Sequence, residues 1–361
     1  MKFAVIKDGE DNFRDEVAYE VIKAITNNGH EISSGLNEVD FVLNLTSFKN
    51  PKVYRRKSKS VFVISILSGE NLNGTMRAAC YTALIKTLSN LLICISKNAA
   101  NETEIFFTTP EAGYYSLKYK PEDVLKKILP IASAHFATEN LFITDLPELY
   151  LNGSAVTEKI IQYGKELDNL GVLPVPFPLR EVLSEVELNH LYKIFGITGA
   201  SYGNLSAREK IPELGDNTFW MTGRGVNKSD LKIIGKDILL VKDFDFNRGT
   251  ALLSMPAGFN PKARVSVDAV EHALIYKTFP GVGAIIHLHA WIDGVICTHQ
   301  NYPCGTIELA KEVVGLLKLT DNPARAVVGL KNHGLTITGK SMEDIFSRIR
   351  GKLKTEVEMF A

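Results

Sequence analysis

The first part of the chain alternates short apolar runs with amphipathic segments, which is the pattern of strands and helices in a layered α/β domain. The apolar runs predict strands at residues 3–6, 41–45, 61–66, 91–95, 104–108 and 114–118. Apolar residues at helical spacing predict helices at residues 14–28, 75–89 and 121–135. This part of the chain is therefore expected to fold as a sheet covered by helices.

The length of the chain favours two domains, because 361 residues exceed the usual single core. We predict a first domain at residues 1–150 with a Rossmann-like α/β fold. It contains no Gly-x-Gly-x-x-Gly or phosphate-loop motif, so no nucleotide is assigned and its role stays open. The second domain is predicted at residues 151–361, with a helix at 158–169 and a stiff, proline-spaced connector at 171–178.

Composition argues against nucleic-acid and membrane partners. Basic and acidic residues are equal at 41 each, which gives no electrostatic case for a polyanion. The longest apolar stretch, at residues 83–95, is interrupted by Lys86, Ser89 and Asn90, so no transmembrane span is predicted. The four cysteines, which include Cys304, have no Cys-x-x-Cys spacing and predict free thiols in a reducing cytoplasm.

Candidate metal ligands follow the apolar run at residues 281–286, where the chain continues as His287-Leu288-His289. Residues i and i+2 of a strand point the same way, so the two imidazoles are expected side by side. A third histidine, His333, lies in a later turn. Three nitrogen ligands suit Zn²⁺, Co, Ni or Fe and leave a coordination position open. The alternative is that these are ordinary strand and turn histidines.

Asp268 begins a predicted helix just before the His-x-His strand. Val267, Val270, Leu274 and Ile275 recur at helical spacing, and Pro280-Gly281 ends the helix. The carboxylate is therefore expected near the metal end of the strand. There it would serve as a general base or as an additional ligand.

Residues from about 190 to 350 resemble the class II aldolase/adducin family through five motifs in order. The motifs are Gly199-Ala-Ser-Tyr-Gly203-Asn204-Leu-Ser206-Ala-Arg208, Met221-Thr222-Gly223-Arg-Gly225, Ser266-Val-Asp268 with His272, the His287/His289 pair, and Lys331-Asn-His333-Gly334-Leu-Thr. Gly305-Thr-Ile-Glu308-Leu-Ala310 also resembles the family's segment between the metal motifs. The resemblance implies an α/β/α domain with a mixed or largely antiparallel sheet.

The resemblance also implies roles for individual residues. His287, His289 and His333 would hold Zn²⁺, and Asp268 takes the family's catalytic carboxylate position, where aldolases usually have Glu and epimerases have Asp. The positions that hold a substrate phosphate are Asn204, Thr222, Gly223 and Ser266. Without the family, Gly203-Asn204 and Thr222-Gly223 would be interpreted as turns.

Two departures from the family concern the group that would donate a proton in the reaction. The segment between His289 and Gly305 is shorter than in aldolases, where it carries a tyrosine proton donor. Tyr302 lies nearby, though out of register, and is the candidate here. The chain also continues for only a short segment after His333, whereas aldolases continue into a tail that helps close the site.

These observations predict a zinc-dependent aldolase, a C–C lyase acting on a small phosphorylated keto-sugar in cytoplasmic carbohydrate metabolism. Within the family, the alternatives are a sugar-phosphate 4-epimerase and a dehydratase. In a different class, the alternative is an adducin-like, non-catalytic interaction domain. The resemblance further implies a homo-oligomer, a tetramer in family members.

Overall fold

The computed structural model describes residues 1–36, 38–56, 58, 61–69, 76–111, 113–173, 184–195 and 201–361. Two compact units are present. The first comprises Met1–Ala134, residues 184–195 and Met359–Ala361, and the second comprises residues 135–173 and 201–358 of the described chain. Each unit has its own sheet, so the protein is of the α/β class, as predicted.

The first unit contains a seven-stranded sheet in the order β2-β1-β3-β4-β5-β6-β7. The strands are β1 (Lys2–Lys7), β2 (Glu31–Ile32), β3 (Phe41–Leu45), β4 (Phe62–Ser68), β5 (Leu91–Lys97), β6 (Thr103–Thr108) and β7 (Tyr114–Lys118). The pairs from β2 to β5 are parallel, and β6 and β7 are antiparallel. β3 and β4 are almost continuously apolar because both of their faces are buried.

Three helices of the first unit lie close to their predicted positions: α1 (Asn12–Asn27), α2 (Met76–Thr87) and α3 (Pro121–Ala132). A fourth helix, α5 (Glu185–Phe195), was not predicted. The Asp11 side chain caps α1 by accepting the Arg14 N–H, and a proline occupies the first turn of α3. A parallel sheet with intervening helices is the arrangement that a Rossmann-like fold requires. That assignment itself stays a prediction.

The second unit is built on a nine-stranded mixed sheet in the order β14-β15-β16-β13-β9-β10-β11-β12-β8. The strands are β8 (Glu139–Ile143), β9 (Asn204–Arg208), β10 (Phe219–Thr222), β11 (Ile238–Asp245), β12 (Thr250–Ser254), β13 (Ala284–Leu288), β14 (Ile296–Cys297), β15 (Val327–Leu330) and β16 (Gly334–Gly339). Only the outer pairs β14–β15 and β12–β8 are parallel among these strands. The largely antiparallel sheet agrees with the prediction.

Helices of the second unit complete its layers. They are α4 (Ala155–Asn169), α6 (Ala269–Thr278), α7 (Ile307–Leu317) and α8 (Met342–Ile349). Side chains of α6 and α7 join those of the central strands in one buried apolar cluster. This cluster fixes the start of α6, and therefore Asp268, relative to the sheet. Within the described residues, no helix is long and apolar enough to cross a membrane.

The boundary between the units differs from the predicted position at residue 150. The N-terminal segment of the first unit ends at Ala134, because β8 pairs in parallel with β12 and so belongs to the second sheet. β8 is half exposed and weakly apolar, which explains why the hydrophobic pattern did not predict it. Of the predicted connector at 171–178, residues 174–178 lie outside the described residues.

Candidate metal centre

Three imidazoles converge at one end of β13. His287 lies in β13, His289 follows the strand directly, and His333 lies in the turn between β15 and β16. Antiparallel pairing places Leu335 opposite Leu288, so this turn lies beside the end of β13. The ring centroids of the three histidines are 4.7 to 5.1 Å apart. The structure thus brings together the three residues that the sequence predicted as metal ligands.

The backbone around the histidines is packed too closely for side chains at two glycines. A Cβ on Gly334 would lie 2.0 Å from the Leu288 carbonyl oxygen, and one on Gly203 would lie 2.5 Å from that of His287. Gly203 also has a φ of +75°, which favours glycine. Asn332 adopts a left-handed φ of +57° immediately before His333 and shapes its turn. These motif residues therefore allow the close backbone packing and the turn that place the three histidines together.

His287 has a nitrogen that is suited to bind a metal ion. Its Nδ1 donates a hydrogen bond to the Leu335 carbonyl at 3.1 Å, so Nε2 carries the lone pair. That Nε2 is buried and has no hydrogen-bond partner among the described residues. Burial lowers the pKa of His287, and burial together with the other two histidines lowers that of His333. Neutral imidazole is the form that binds metal.

The separation of the nitrogens also fits a transition metal. Zinc with nitrogen ligands at about 2.0–2.1 Å holds tetrahedral ligand nitrogens about 3.3 Å apart. Nε2 of His289 and Nε2 of His333 are 3.2 Å apart. One potential ligand atom of each histidine lies within 4.8 Å of the others. His289 is half-buried and Tyr202 packs on its ring at 4.5 Å between centroids, which holds it in position.

Asp268 joins this cluster from the start of α6. It is 5% exposed, and its carboxylate lies within 4.8 Å of a ligand atom of His287. It occupies the N-cap position of α6 without making a side-chain cap hydrogen bond. Its Oδ2 accepts instead from Asn204 Nδ2 at 2.7 Å. The carboxylate is therefore held toward the cluster, where it can accept a proton or bind the metal.

Two further buried groups lie behind the cluster on α6. Burial, with the nearby Asp268 charge, raises the pKa of Glu271 to about 8, and Thr336 donates a hydrogen bond to its carboxyl. Burial lowers the pKa of His272 well below its usual value, and its Nδ1 lies 2.7 Å from Ser206 Oγ. At neutral pH both groups are therefore uncharged. They therefore add little charge to the site.

Lys228 is a site residue that sequence analysis missed. It lies on the 3₁₀ turn Lys228–Asp230, is 3% exposed, and donates from Nζ to the Ser201 carbonyl at 2.9 Å. Burial lowers its pKa to about 7, although the nearby Asp268 carboxylate opposes the shift. The turn can pack tightly on α4, because a Cβ on Gly164 would lie 2.3 Å from the Lys228 carbonyl. A polar Asn-Lys-Ser-Asp run gives no sequence signal for burial.

The predicted phosphate-holding residues have partners that the sequence did not indicate. Asn204 directs its amide donor at Asp268, and its buried Oδ1, an acceptor, has no partner among the described residues. The Gly223 N–H donates to the Asp237 carbonyl at 2.8 Å. Thr222 Oγ1 accepts the Leu205 N–H at 3.2 Å. The Asn204 amide and the Gly223 N–H therefore already have protein partners, and Thr222 is fully buried. The phosphate-binding role of these three residues and of Ser266 stays a prediction.

Tyr302, the predicted proton donor, is half-buried and packs against the apolar cluster of the second unit. Burial raises the pKa of its phenol, so it is protonated at neutral pH. The structure therefore supplies a protonated phenol in this segment, while its part in proton transfer stays a prediction.

Residues 185–292 match the family model of the Class II Aldolase and Adducin N-terminal domain. The match contains Asn204, Asp268, His287 and His289, and it confirms the family resemblance predicted from the motifs. It ends before His333, which the fold brings to the same cluster. No curated protein has significant sequence similarity to the chain.

Several solved structures are similar to part of this chain. An L-fuculose 1-phosphate aldolase has 19% identity and a TM-score of 0.37, over 55% of this chain and 81% of its own. YgbL from Klebsiella pneumoniae has 17% identity and a TM-score of 0.31, over 53% of this chain and 82% of its own. An aldolase II superfamily protein from Pseudomonas syringae has 19% identity and a TM-score of 0.30, over 48% and 75%. The family resemblance itself rests on the match of residues 185–292.

The buried ammonium of Lys228 is expected to make stability depend on pH. Its pKa falls from 10.5 to about 7 on folding, so between these values the unfolded chain binds one more proton. The free energy of unfolding should therefore rise by about 1.4 kcal/mol per pH unit as the pH increases through this window, relative to Lys228→Met. Urea unfolding of both proteins at several pH values measures this slope.

Lys232→Met provides the control for that measurement, because Lys232 is exposed on the same segment and pairs with Asp230. Its unfolding free energy should follow that of the wild type at every pH. Parallel curves for the wild type and Lys228→Met would contradict a depressed Lys228 pKa.

Proposed function

We propose that the second unit is a zinc-dependent aldolase that cleaves, or reversibly forms, a C–C bond in a small phosphorylated keto-sugar. The observation that carries the proposal is the convergence of three imidazoles, with the buried Asp268 carboxylate beside that of His287. The donor set, the nitrogen separation and the buried lone pair of His287 all fit a zinc ion. His287, His289 and His333 would hold it. When bound, Zn²⁺ supplies Lewis-acid polarisation of substrate oxygens.

The residues of the chain supply proton transfer and orientation. Asp268 is fixed by Asn204, so it can take a proton from a substrate carbon without reorienting. The Oδ1 of Asn204 is buried and has no partner among the described residues, and we propose that it accepts a hydrogen bond from a substrate hydroxyl. Lys228 is a buried amine that interacts electrostatically with Asp268, and burial lowers its pKa to about 7. Tyr302 is proposed to return the proton to the product.

An epimerase or dehydratase is the second candidate, favoured by a specific observation. The carboxylate beside the histidines belongs to Asp268, and the family resemblance associates Asp with epimerases and Glu with aldolases. Each of these reactions begins with proton transfer or bond cleavage next to a polarised carbonyl group. The same residues could therefore catalyse any of them. A non-catalytic, adducin-like role is disfavoured because it gives no reason to keep a buried, unpartnered His287 nitrogen.

The substrate class is tested by comparing phosphorylated keto-sugars with the same sugars lacking phosphate, using zinc-loaded protein. Charge-assisted hydrogen bonds to the phosphate should make the phosphorylated substrates better by at least roughly tenfold in kcat/KM. Ser266→Ala should raise KM for the phosphorylated substrate and leave kcat nearly unchanged. Ser347→Ala, on the exposed face of α8, is the matched control.

Equal activity with and without the phosphate would rule out a phosphate site and redirect the proposal toward aldolase or decarboxylase chemistry on unphosphorylated acids. Product analysis then separates the reactions. Two smaller carbonyl fragments identify an aldolase, an isomer of equal mass identifies an epimerase, and loss of water identifies a dehydratase.

The homo-oligomeric state and the cytoplasmic location are part of the same proposal. The tetramer follows from the family resemblance, and the mass of the protein in solution tests it. The location is supported by four cysteines that form no disulfide.

A further inference from the structure

Cys304 lies against the histidine cluster, although its sequence gives it no metal-binding spacing. Its Sγ is 3.3 Å from Nε2 of His333. The same sulfur lies within 4.8 Å of a ligand atom of His287 and of the Asp268 carboxylate, and these three form a second possible metal-binding group. The two groups share His287. One ion placed among them would therefore be within reach of the thiol as well as the imidazoles.

The backbone that carries Cys304 is held in place on both sides. Gly305 has a φ of +73°, and a Cβ there would lie 3.0 Å from the carbonyl oxygen of Val267, the residue before Asp268. The Gly305 carbonyl accepts the Ala137 N–H at 2.8 Å. Thr306 then caps α7 by accepting the Leu309 N–H. The thiol is thus presented to the site by fixed structure, as a metal ligand must be.

A second, independent observation points to a ligand at this position. His287 is 2% exposed, and its Nε2 lone pair has no hydrogen-bond partner among the described residues. A buried acceptor without a partner is costly and is expected to meet a ligand. A tetrahedral zinc ion with sulfur at about 2.3 Å and nitrogen at about 2.0–2.1 Å spaces S and N by about 3.6 Å. The Cys304–His333 contact is close to that spacing.

We propose that Cys304 is a fourth protein ligand of this metal, bound as a thiolate. The site would then favour thiophilic ions such as Zn²⁺, Co²⁺ and Cd²⁺ over the harder Mn²⁺ and Mg²⁺. This inference rests on the proposed metal site and deepens it, because it assigns the chemistry by which the site selects its ion. Cys297, on the neighbouring strand β14, is in neither of the metal-binding groups formed by the described residues.

Loading the 361-residue chain with Co²⁺ in place of zinc tests the proposal without any activity measurement. Wild-type protein loaded with Co²⁺ should show visible d–d bands and a near-ultraviolet thiolate-to-Co²⁺ charge-transfer band. Cys304→Ser should keep the d–d bands and lose the charge-transfer band, whereas Cys297→Ser should keep both. The affinity for Cd²⁺ should fall by at least roughly tenfold in Cys304→Ser, with a smaller change for Mn²⁺.

The outcomes separate this inference from the metal site itself. Wild-type protein that binds Co²⁺ without a charge-transfer band would overturn the role of Cys304 and leave the three-histidine site standing. A charge-transfer band that survives Cys304→Ser would likewise overturn it. Wild-type protein that binds no Co²⁺ would reject the metal site, and with it both proposals.

Discussion

Purified protein is expected to contain about one transition-metal ion per chain, most of it zinc, and to lose that ion when His287 and His289 are both replaced by alanine. The double variant leaves His333 without its imidazole partners, and a tetrahedral site cannot be completed from it. Elemental analysis after exhaustive dialysis measures the ion. Circular dichroism and thermal unfolding check that the variant still folds.

His299→Ala serves as the control, because His299 is exposed and lies on the segment that follows the cluster. It should retain the full complement of metal. Near-stoichiometric metal in the His287→Ala, His289→Ala double variant would contradict the assignment of these histidines as ligands, because the ion would then be bound elsewhere. Loss of activity on treatment with a chelator and recovery on adding Zn²⁺ would complete the test.

Replacement of Asp268 by asparagine is expected to lower turnover by roughly two or more orders of magnitude while the fold is kept. The substitution is nearly isosteric, and its amide oxygen can still accept the hydrogen bond from Asn204. Helix α6 does not depend on the Asp268 side chain for a cap hydrogen bond. The expected loss therefore reports the missing negative charge. Steady-state kinetics and thermal unfolding of the same preparation measure the two effects.

Asp293→Asn is the matched control, because Asp293 is exposed and forms an ion pair with Lys354 on the surface. It should leave turnover unchanged. Unchanged turnover in Asp268→Asn on a substrate that the wild type converts would refute the catalytic role. The metal content of Asp268→Asn shows whether Asp268 is a general base or a metal ligand. Only the loss of a ligand should weaken metal binding.

The strands and helices of the first unit were largely predictable from the sequence. Strands β3 and β7 have the predicted bounds. Helix α3 begins at its predicted residue, and α1 begins two residues before its predicted start. Their apolar residues recur with the period of the element, and local signals such as Asp11 and Pro121 mark the helix starts. β8 was missed because its residues are half exposed, and only its pairing with β12 makes it a strand.

The metal centre was predictable where the ligands follow from local geometry. His287 and His289 lie two residues apart at a strand end, and the family motifs brought His333 and Asp268 into the same prediction. The sequence also supplied a signal for Cys304 that was not used. Cys304 directly precedes the Gly305–Ala310 segment, which resembles the part of the family between the metal motifs.

The partners of the remaining site residues depended on tertiary structure. Asn204 and Asp268 are far apart in sequence, and their hydrogen bond exists only because α6 packs against the sheet that contains β9. Lys228 lies in a polar run that predicts an exposed turn, yet packing against Gly164 buries it. Hydrophobic pattern and motif spacing report which residues share a strand or helix face. Burial of a charge, and the partner of a donor, are decided by contacts between elements, which only the folded chain brings together.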